Sequence, residues 1–152
     1  CNPSSQYGIA KNALRQSLLL LSKDKDVNIY WLRAYYILGD DVKNHSIFSK
    51  ILMAVQDGKG TFPFNSGKNK YDFLDVKELA RQIMYASIQK KYTGIINVCS
   101  GQPVSLAERV EQFINENHLP ISLEYGKFPD RPYDSPIVYG DNTVIQQIMK
   151  EG

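Results

Sequence analysis

Gln6 to Arg33 reads QYGIAKNALRQSLLLLSKDKDVNIYWLR, and this stretch decides the fold class. Ile9, Ala13, Leu14, Leu18 and Leu21 recur at the three- and four-residue spacing of a buried helical stripe, which predicts one helix from Gln6 to Ser22. Asn2-Pro3-Ser4-Ser5 is a start signal with serine as N-cap. Lys23-Asp24-Lys25-Asp26 is a polar turn. Val27 to Arg33 is rich in β-branched and aromatic side chains and fits a buried strand, with Trp31 in the core.

The same order recurs downstream. Asp75 can cap a helix from Val76 to Lys90, with Lys90 and Lys91 beside its negative end. Gly94 breaks it, and Ile95 to Cys99 (IINVC) reads as a second buried strand. Between the two units a long loop through Gly39-Asp40-Asp41 leads to a helix over Ser46 to Gln56, a short strand Thr61 to Phe64 and a turn at Asn65-Ser66-Gly67. Ser105-Leu106-Ala107-Glu108 is a capping box that opens a helix ending before Pro120. Ile121 to Tyr125 is a strand, Phe128 to Pro136 a proline-rich loop, and Asp141 or Asn142 caps a last short helix. Helices alternating with strands make the class α/β with at least part of a parallel sheet.

Composition narrows the function. The chain has 152 residues, 43% of them hydrophobic, and a net charge of +2. That balance argues against a nucleic-acid partner, and Lys68-Asn69-Lys70 is a solvated loop. Leu18 to Leu21 is far shorter than the ~20 apolar residues of a membrane span, so no membrane partner is expected. Cys1 and Cys99 cannot build a disulfide framework, and His45 and His118 are too far apart in sequence to suggest a metal site. With no signal peptide visible and one weak sequon, Asn44-His45-Ser46, the expected compartment is cytoplasmic. The start at Cys1, without methionine, suggests a piece of a longer protein. A processed amino-terminal cysteine nucleophile is a poorer reading, because Cys1 has no obvious partner.

Tyr7 and Lys11 form Y-x-x-x-K and share a helical face. An ammonium beside a phenol favours the phenolate. At ~5 Å and an effective dielectric of ~20 the attraction is roughly 3 kcal/mol. Such a tyrosine can exchange a proton with a carbonyl or alcohol near neutral pH. With 10 tyrosines and 13 lysines in 152 residues, one such pair arises by chance, so the motif needs context.

The context is a series of landmarks. Asn2 to Lys11, NPSSQYGIAK, resembles the active-site helix start of the extended short-chain dehydrogenases/reductases, the NAD-dependent epimerase/dehydratase family. Leu32 to Gly39 is similar to the family's Leu-Arg-x-x-Asn-x-Tyr-Gly stretch. Tyr71 to Val76 resembles its Arg-Asp-aromatic-x-x-Val segment. Ile96 to Gly101 with Val104-Ser105-Leu106 looks like its Tyr-Asn-x-Gly-x-Gly strand and the capped helix after it, and Arg131-Pro132-Tyr133-Asp134 matches an Arg-x-x-Asp loop.

The resemblance implies the carboxy-terminal part of a Rossmann-like parallel sheet plus a small α/β substrate-binding domain. Residues 1–34 would hold the active-site helix and a Rossmann strand, 76–99 the returning helix and strand, and 35–75 with 100–152 mainly the substrate-binding part. It implies NAD or NADP as cofactor, a nucleotide-sugar substrate, epimerase, dehydratase or 4-keto reductase chemistry, and a homodimer. Tyr7 would be the general acid/base, and Lys11 would tune it and hold the nicotinamide ribose. Arg33 is a further cofactor-side candidate, although pairing with a carboxylate is as good a reading. Arg131 would contact the substrate diphosphate, and Asp134 would hold a ribose or partner Arg131. Phe62 and Phe64 sit where the family packs the nucleotide base, though alternating aromatics equally suit a core.

Two positions depart from the pattern. Tyr36 stands at the family's asparagine and Tyr71 at its arginine, replacing substrate contacts with phenols. They are the best support for the alternative, a non-catalytic sensing or interaction module of the same fold. No glycine-rich phosphate turn occurs in these residues, so the chain is expected to be the carboxy-terminal half and inactive alone.

Overall fold

The computed structural model describes residue 3 and residues 5–39, 45–131 and 134–151. Ser5 opens α1 (Gln6–Leu21), its hydroxyl accepting from the Gly8 N–H at 3.1 Å. β1 (Tyr30–Ala34), β2 (Tyr36–Leu38), α2 (Ile47–Gln56), β3 (Thr61–Pro63) and β4 (Lys70–Asp75) follow. Then come α3 (Val76–Ile88), β5 (Gly94–Val98), β6 (Pro103–Ser105), α4 (Leu106–Glu116), β7 (Ser122–Glu124), β8 (Ile137–Val138) and α5 (Thr143–Glu151).

β1 and β5 pair in parallel, Tyr30 opposite Gly94 and Ala34 opposite Val98. α3 and α5 cover one side of this pair. Ala86, Ile96, Val98, Ile145 and Ile148 form its buried centre, closed by Tyr30, Leu32 and Leu79. The second centre lies between α2 and α4: Ile51, Ala54, Phe64, Val110, Ile114 and Ile121, next to the parallel pair β3–β7. α5, which lies in the 100–152 stretch, packs with the first centre.

β4 joins the two. Its Phe73–Asp75 end pairs in parallel with β2. Lys70 and Tyr71 pair with antiparallel β6 and with parallel β8, which therefore lie on opposite edges. Asp72 and Leu74 point to the buried face, at 0% and 4% exposure. A buried carboxylate must be satisfied, and Asp72 is. Oδ1 accepts from the Ser100 N–H at 2.8 Å and the Ser100 hydroxyl at 2.6 Å, and Oδ2 from the N–H groups of Gly101 at 2.9 Å and Gly140 at 3.2 Å. Gly140 is glycine for a steric reason: a Cβ there would meet Cys99 Sγ and Tyr35 Cε2 at 2.6 Å.

Several expectations are corrected. The stripe of α1 is not buried: no residue of that helix is, and Ile9, Leu14 and Leu21 are 55%, 50% and 65% exposed. Among the described residues β1 pairs only with β5, and the buried centre on that sheet is filled from α3 and α5, not from α1. The first strand starts at Tyr30, leaving Val27 exposed, and Trp31 is half-buried. The loop after Arg33 contains β2, paired by β4, itself read only as a family landmark. α3 stops at Ile88 rather than Lys90, because Gln89 turns extended and its side chain holds both the N–H and the carbonyl of Tyr92. Cys1, Asp40, Asp41 and Asn44 of the sequon lie outside the described residues.

Candidate active site

The N-terminal turns of α1 face β1 and β2 across a cleft of roughly 820 Å³. Tyr7 and Lys11 are both in its wall, and Lys11 Nζ lies 5.6 Å from the centroid of the Tyr7 ring. The one-turn spacing thus places ammonium and phenol on one face. Tyr7 is 74% exposed, so its hydroxyl is open to a ligand.

Arg33 and Tyr36 line the same cleft from β1 and β2. So does Arg15, which sequence reasoning missed. Its signal was spacing: residues 7, 11 and 15 repeat every four positions along one helix. The Arg15 guanidinium is steadied by Asn12, whose Oδ1 accepts from Nη2 at 3.0 Å and Nε at 3.3 Å. Among the described lining residues there are three cations and no carboxylate. Such a donor set fits a polyanionic ligand, as a dinucleotide or a nucleotide diphosphate is.

Tyr36 and Tyr71 come together, ring centroids 4.4 Å apart. Burial, then Tyr71 and the Asp134 carboxylate, hold the Tyr36 phenol above its ordinary pKa. Burial and then Cys99 do the same for Tyr35, against the opposite pull of Arg33. Both stay neutral donors at physiological pH. Asp134 is therefore near the aromatic wall, while Arg131 is exposed and does not line the cleft. The Arg131 carbonyl accepts from the Asp134 N–H at 3.1 Å. Phe64, 2% exposed, belongs to the α2–α4 centre with its ring 5.4 Å from Tyr125, and Phe62 packs against that centre. Of the two readings left open for Phe64, packing is the one seen. Among the described residues no group of three or more His, Cys, Asp or Glu could hold a metal ion, and no helix is long and apolar enough to cross a membrane.

The family model for the NAD dependent epimerase/dehydratase family matches residues 1–99. The chain belongs to this family. A curated relative, dTDP-6-deoxy-L-talose 4-dehydrogenase (NAD(+)) of Aggregatibacter actinomycetemcomitans, is 50% identical over 141 residues, covering 92% of this chain and 52% of the relative. Putative UDP-arabinose 4-epimerase 4 of Arabidopsis thaliana is 27% identical, covering 94% of this chain and 37% of the relative. The chain thus spans about half or less of the length of these relatives. Among solved structures, RMD from Pseudomonas aeruginosa complexed with NADPH superposes with a TM-score of 0.83 at 17% identity, over 98% of this chain and 51% of that one. The UDP-N-acetylglucosamine 4-epimerase of Methanobrevibacter ruminantium M1 gives 0.80 at 22% identity, over 97% and 48%. These likenesses show the family's Rossmann-type α/β fold.

Proposed function

We propose that this chain supplies the proton-transfer side of a NAD(P)-dependent enzyme that interconverts an alcohol and a ketone at C4 of a nucleotide-activated sugar. The observation that carries the reading is Tyr7 and Lys11 on one helical face at the wall of a cleft that also holds Arg15 and Arg33 and, among its described lining residues, no carboxylate. Lys11, with Tyr7, would hold the ribose of the nicotinamide cofactor, and Arg33 is a further cofactor-side contact. When bound, that cofactor supplies or accepts the hydride.

The residues here do the rest. The Tyr7 hydroxyl gives a proton to the C4 oxygen as the ketone is reduced, and in the reverse direction the Tyr7 phenolate takes that proton as the alcohol is oxidised. Lys11 stabilises the phenolate that results. The cations of the cleft draw in the polyanionic ligands. Tyr36 and Asp134 face the sugar, Tyr71 backs the Tyr36 ring from behind, and Arg131 reaches the diphosphate from its exposed loop. Of epimerisation, dehydration and 4-keto reduction, the 50% identical 4-dehydrogenase supports the last, run in either direction, with a dTDP-6-deoxyhexose as substrate. The bare leucines of α1 support a homodimer built across that helix, and a monomer by light scattering of the intact protein would remove that part.

Tyr7→Phe in the intact protein tests the core of the proposal. Turnover is expected to fall by roughly 10²–10⁴-fold with little change in substrate affinity, the usual cost of losing acid/base catalysis. Unchanged turnover takes Tyr7 out of the mechanism.

A further inference from the structure

Tyr36 is the β2 wall of the cleft that holds Tyr7 and Lys11. The residue is 45% exposed and lines the cleft, so it is open on that side while other rings pack against it. Tyr71 lies behind it at 4.4 Å, inclined by 47°. Phe73, opposite Tyr36 in the β2–β4 register, touches both, at 5.9 Å from Tyr36 and 6.1 Å from Tyr71. Phe48 of α2 continues the chain of rings, 6.4 Å from Phe73. The wall is therefore anchored to the α2–α4 centre and is not a mobile surface side chain.

An aromatic face has a definite preference. It gains from C–H groups and apolar surface. It gives a hydroxyl pressed against it no row of partners in exchange for water. In a hexopyranose, C4 and the exocyclic C6 are both attached to C5. A sugar presenting its C4 oxygen to Tyr7 can therefore reach a neighbouring wall of the same cleft with C6. A methyl at C6 suits that wall, and a hydroxymethyl does not.

We propose that the Tyr36 ring, held in place by Tyr71, is the specificity wall of the site and selects nucleotide sugars with a methyl at C6 over their 6-hydroxylated counterparts. The inference rests on the reading of Tyr7 and Lys11 as the proton-transfer pair of a nucleotide-sugar enzyme. Tyr36 touches the substrate, and Tyr71 is a positioning residue that acts through it.

The test compares kcat/KM of the intact protein for dTDP-6-deoxy-L-talose and dTDP-L-talose. The unsubstituted protein is expected to favour the 6-deoxy sugar by roughly 10- to 100-fold, the range a hydrophobic pocket achieves for one small group. Tyr36→Phe keeps the ratio, because the ring face and not the hydroxyl makes the contact. Tyr36→Asn brings it to within about threefold of unity, mainly by raising KM for the 6-deoxy sugar. Tyr71→Ala moves the ratio part-way and Tyr71→Phe leaves it, which a merely structural role for Tyr71 would not do. A ratio near one in the unsubstituted protein overturns the proposal, as does a ratio unmoved by Tyr36→Asn in an active variant. If Tyr36→Asn does not fold, Tyr36→Ser takes its place and must shift the ratio in the same direction.

Failure of the underlying reading looks different: no turnover of either sugar, or turnover indifferent to Tyr7→Phe. Saturation-transfer NMR with dTDP-6-deoxy-L-talose then decides the wall by itself. Saturation of the C6 methyl that disappears in Tyr36→Asn, or in Tyr36→Ser where that replaces it, upholds it, and a methyl that receives none overturns it.

Discussion

The α2–α4 lobe and the α1 helix are built from the same kind of residues and have opposite fates. In the lobe Ile51, Phe64 and Val110 are 0%, 2% and 0% exposed. In α1 the leucines Leu19, Leu20 and Leu21 are 40%, 73% and 65% exposed. The lobe supplies its own cover: two amphipathic helices, the β3–β7 pair and the loop around Ile121 close on one another. α1 gives no side chain to either buried centre described, and its amino-terminal turns line the cleft opposite β1 and β2. An apolar stripe in a sequence therefore states what needs covering, and the tertiary partners decide whether it is covered. Tyr7 and Lys11 sit on the uncovered element, while the rings of Phe73 and Phe48 tie Tyr36, across the cleft from them, to the closed one.

The comparison can be broken at its strongest point first. Phe64→Ala removes a fully packed ring and should destabilise the lobe by about 3–5 kcal/mol in urea denaturation. A loss below about 1 kcal/mol would mean that the lobe is not the closed core described. Asp72→Asn replaces an acceptor-only group, held by four donors, with an amide that must turn two donors of its own toward some of them. It should cost about 2–3 kcal/mol, and a neutral result would show that the β4 junction tolerates a misplaced donor.

Cys99 sharpens the contrast from the pH side. Burial, then the neighbouring Asp72 carboxylate, pushes its thiol up to about 11. The fold thus favours the protonated form. That share of stability is complete below the pKa of an unfolded thiol and is lost as pH rises through about 11. Urea midpoints measured from pH 8 upward should fall more steeply for the parent protein than for Cys99→Ala. Parallel curves would mean that the thiol is not held this way. The smallest effect is expected on α1: Leu20→Lys should change stability by less than about 0.5 kcal/mol while reducing self-association in light scattering. A large loss of stability would show that α1 is covered after all.

How much of this was legible can be argued element by element. Ile95 to Cys99 announces itself because a β-branched apolar run has few homes other than a sheet. Asp75 and Ser105 were readable as caps because the cap bond is local: each side chain accepts from an N–H two or three residues on. The Tyr7–Lys11 face followed from helical spacing alone. β2 was not legible. Three residues, Tyr36 to Leu38, carry no periodicity, and only pairing with β4 makes them a strand. Asp72 could have been found. It is in phase with buried Leu74 in an alternating segment, and an acid on an inward position demands partners. Those partners, Ser100, Gly101 and Gly140, lie 28 to 68 residues away and are not written locally. Arg15 was visible as the third term of the 7, 11, 15 series. Phe64 was ambiguous because core and base-stacking aromatics obey the same alternation.

The bracket at Asp72 also orders events in time. Its carboxylate waits on donors from two segments, and the later one arrives 68 residues downstream, at Gly140. Until that backbone is in place, Oδ2 lacks one of the donors that replace water around the carboxylate in the finished fold. A nascent chain that ends before residue 140 therefore holds Asp72 through Ser100 and Gly101 alone, and the fourth bond is added only when the last segment arrives.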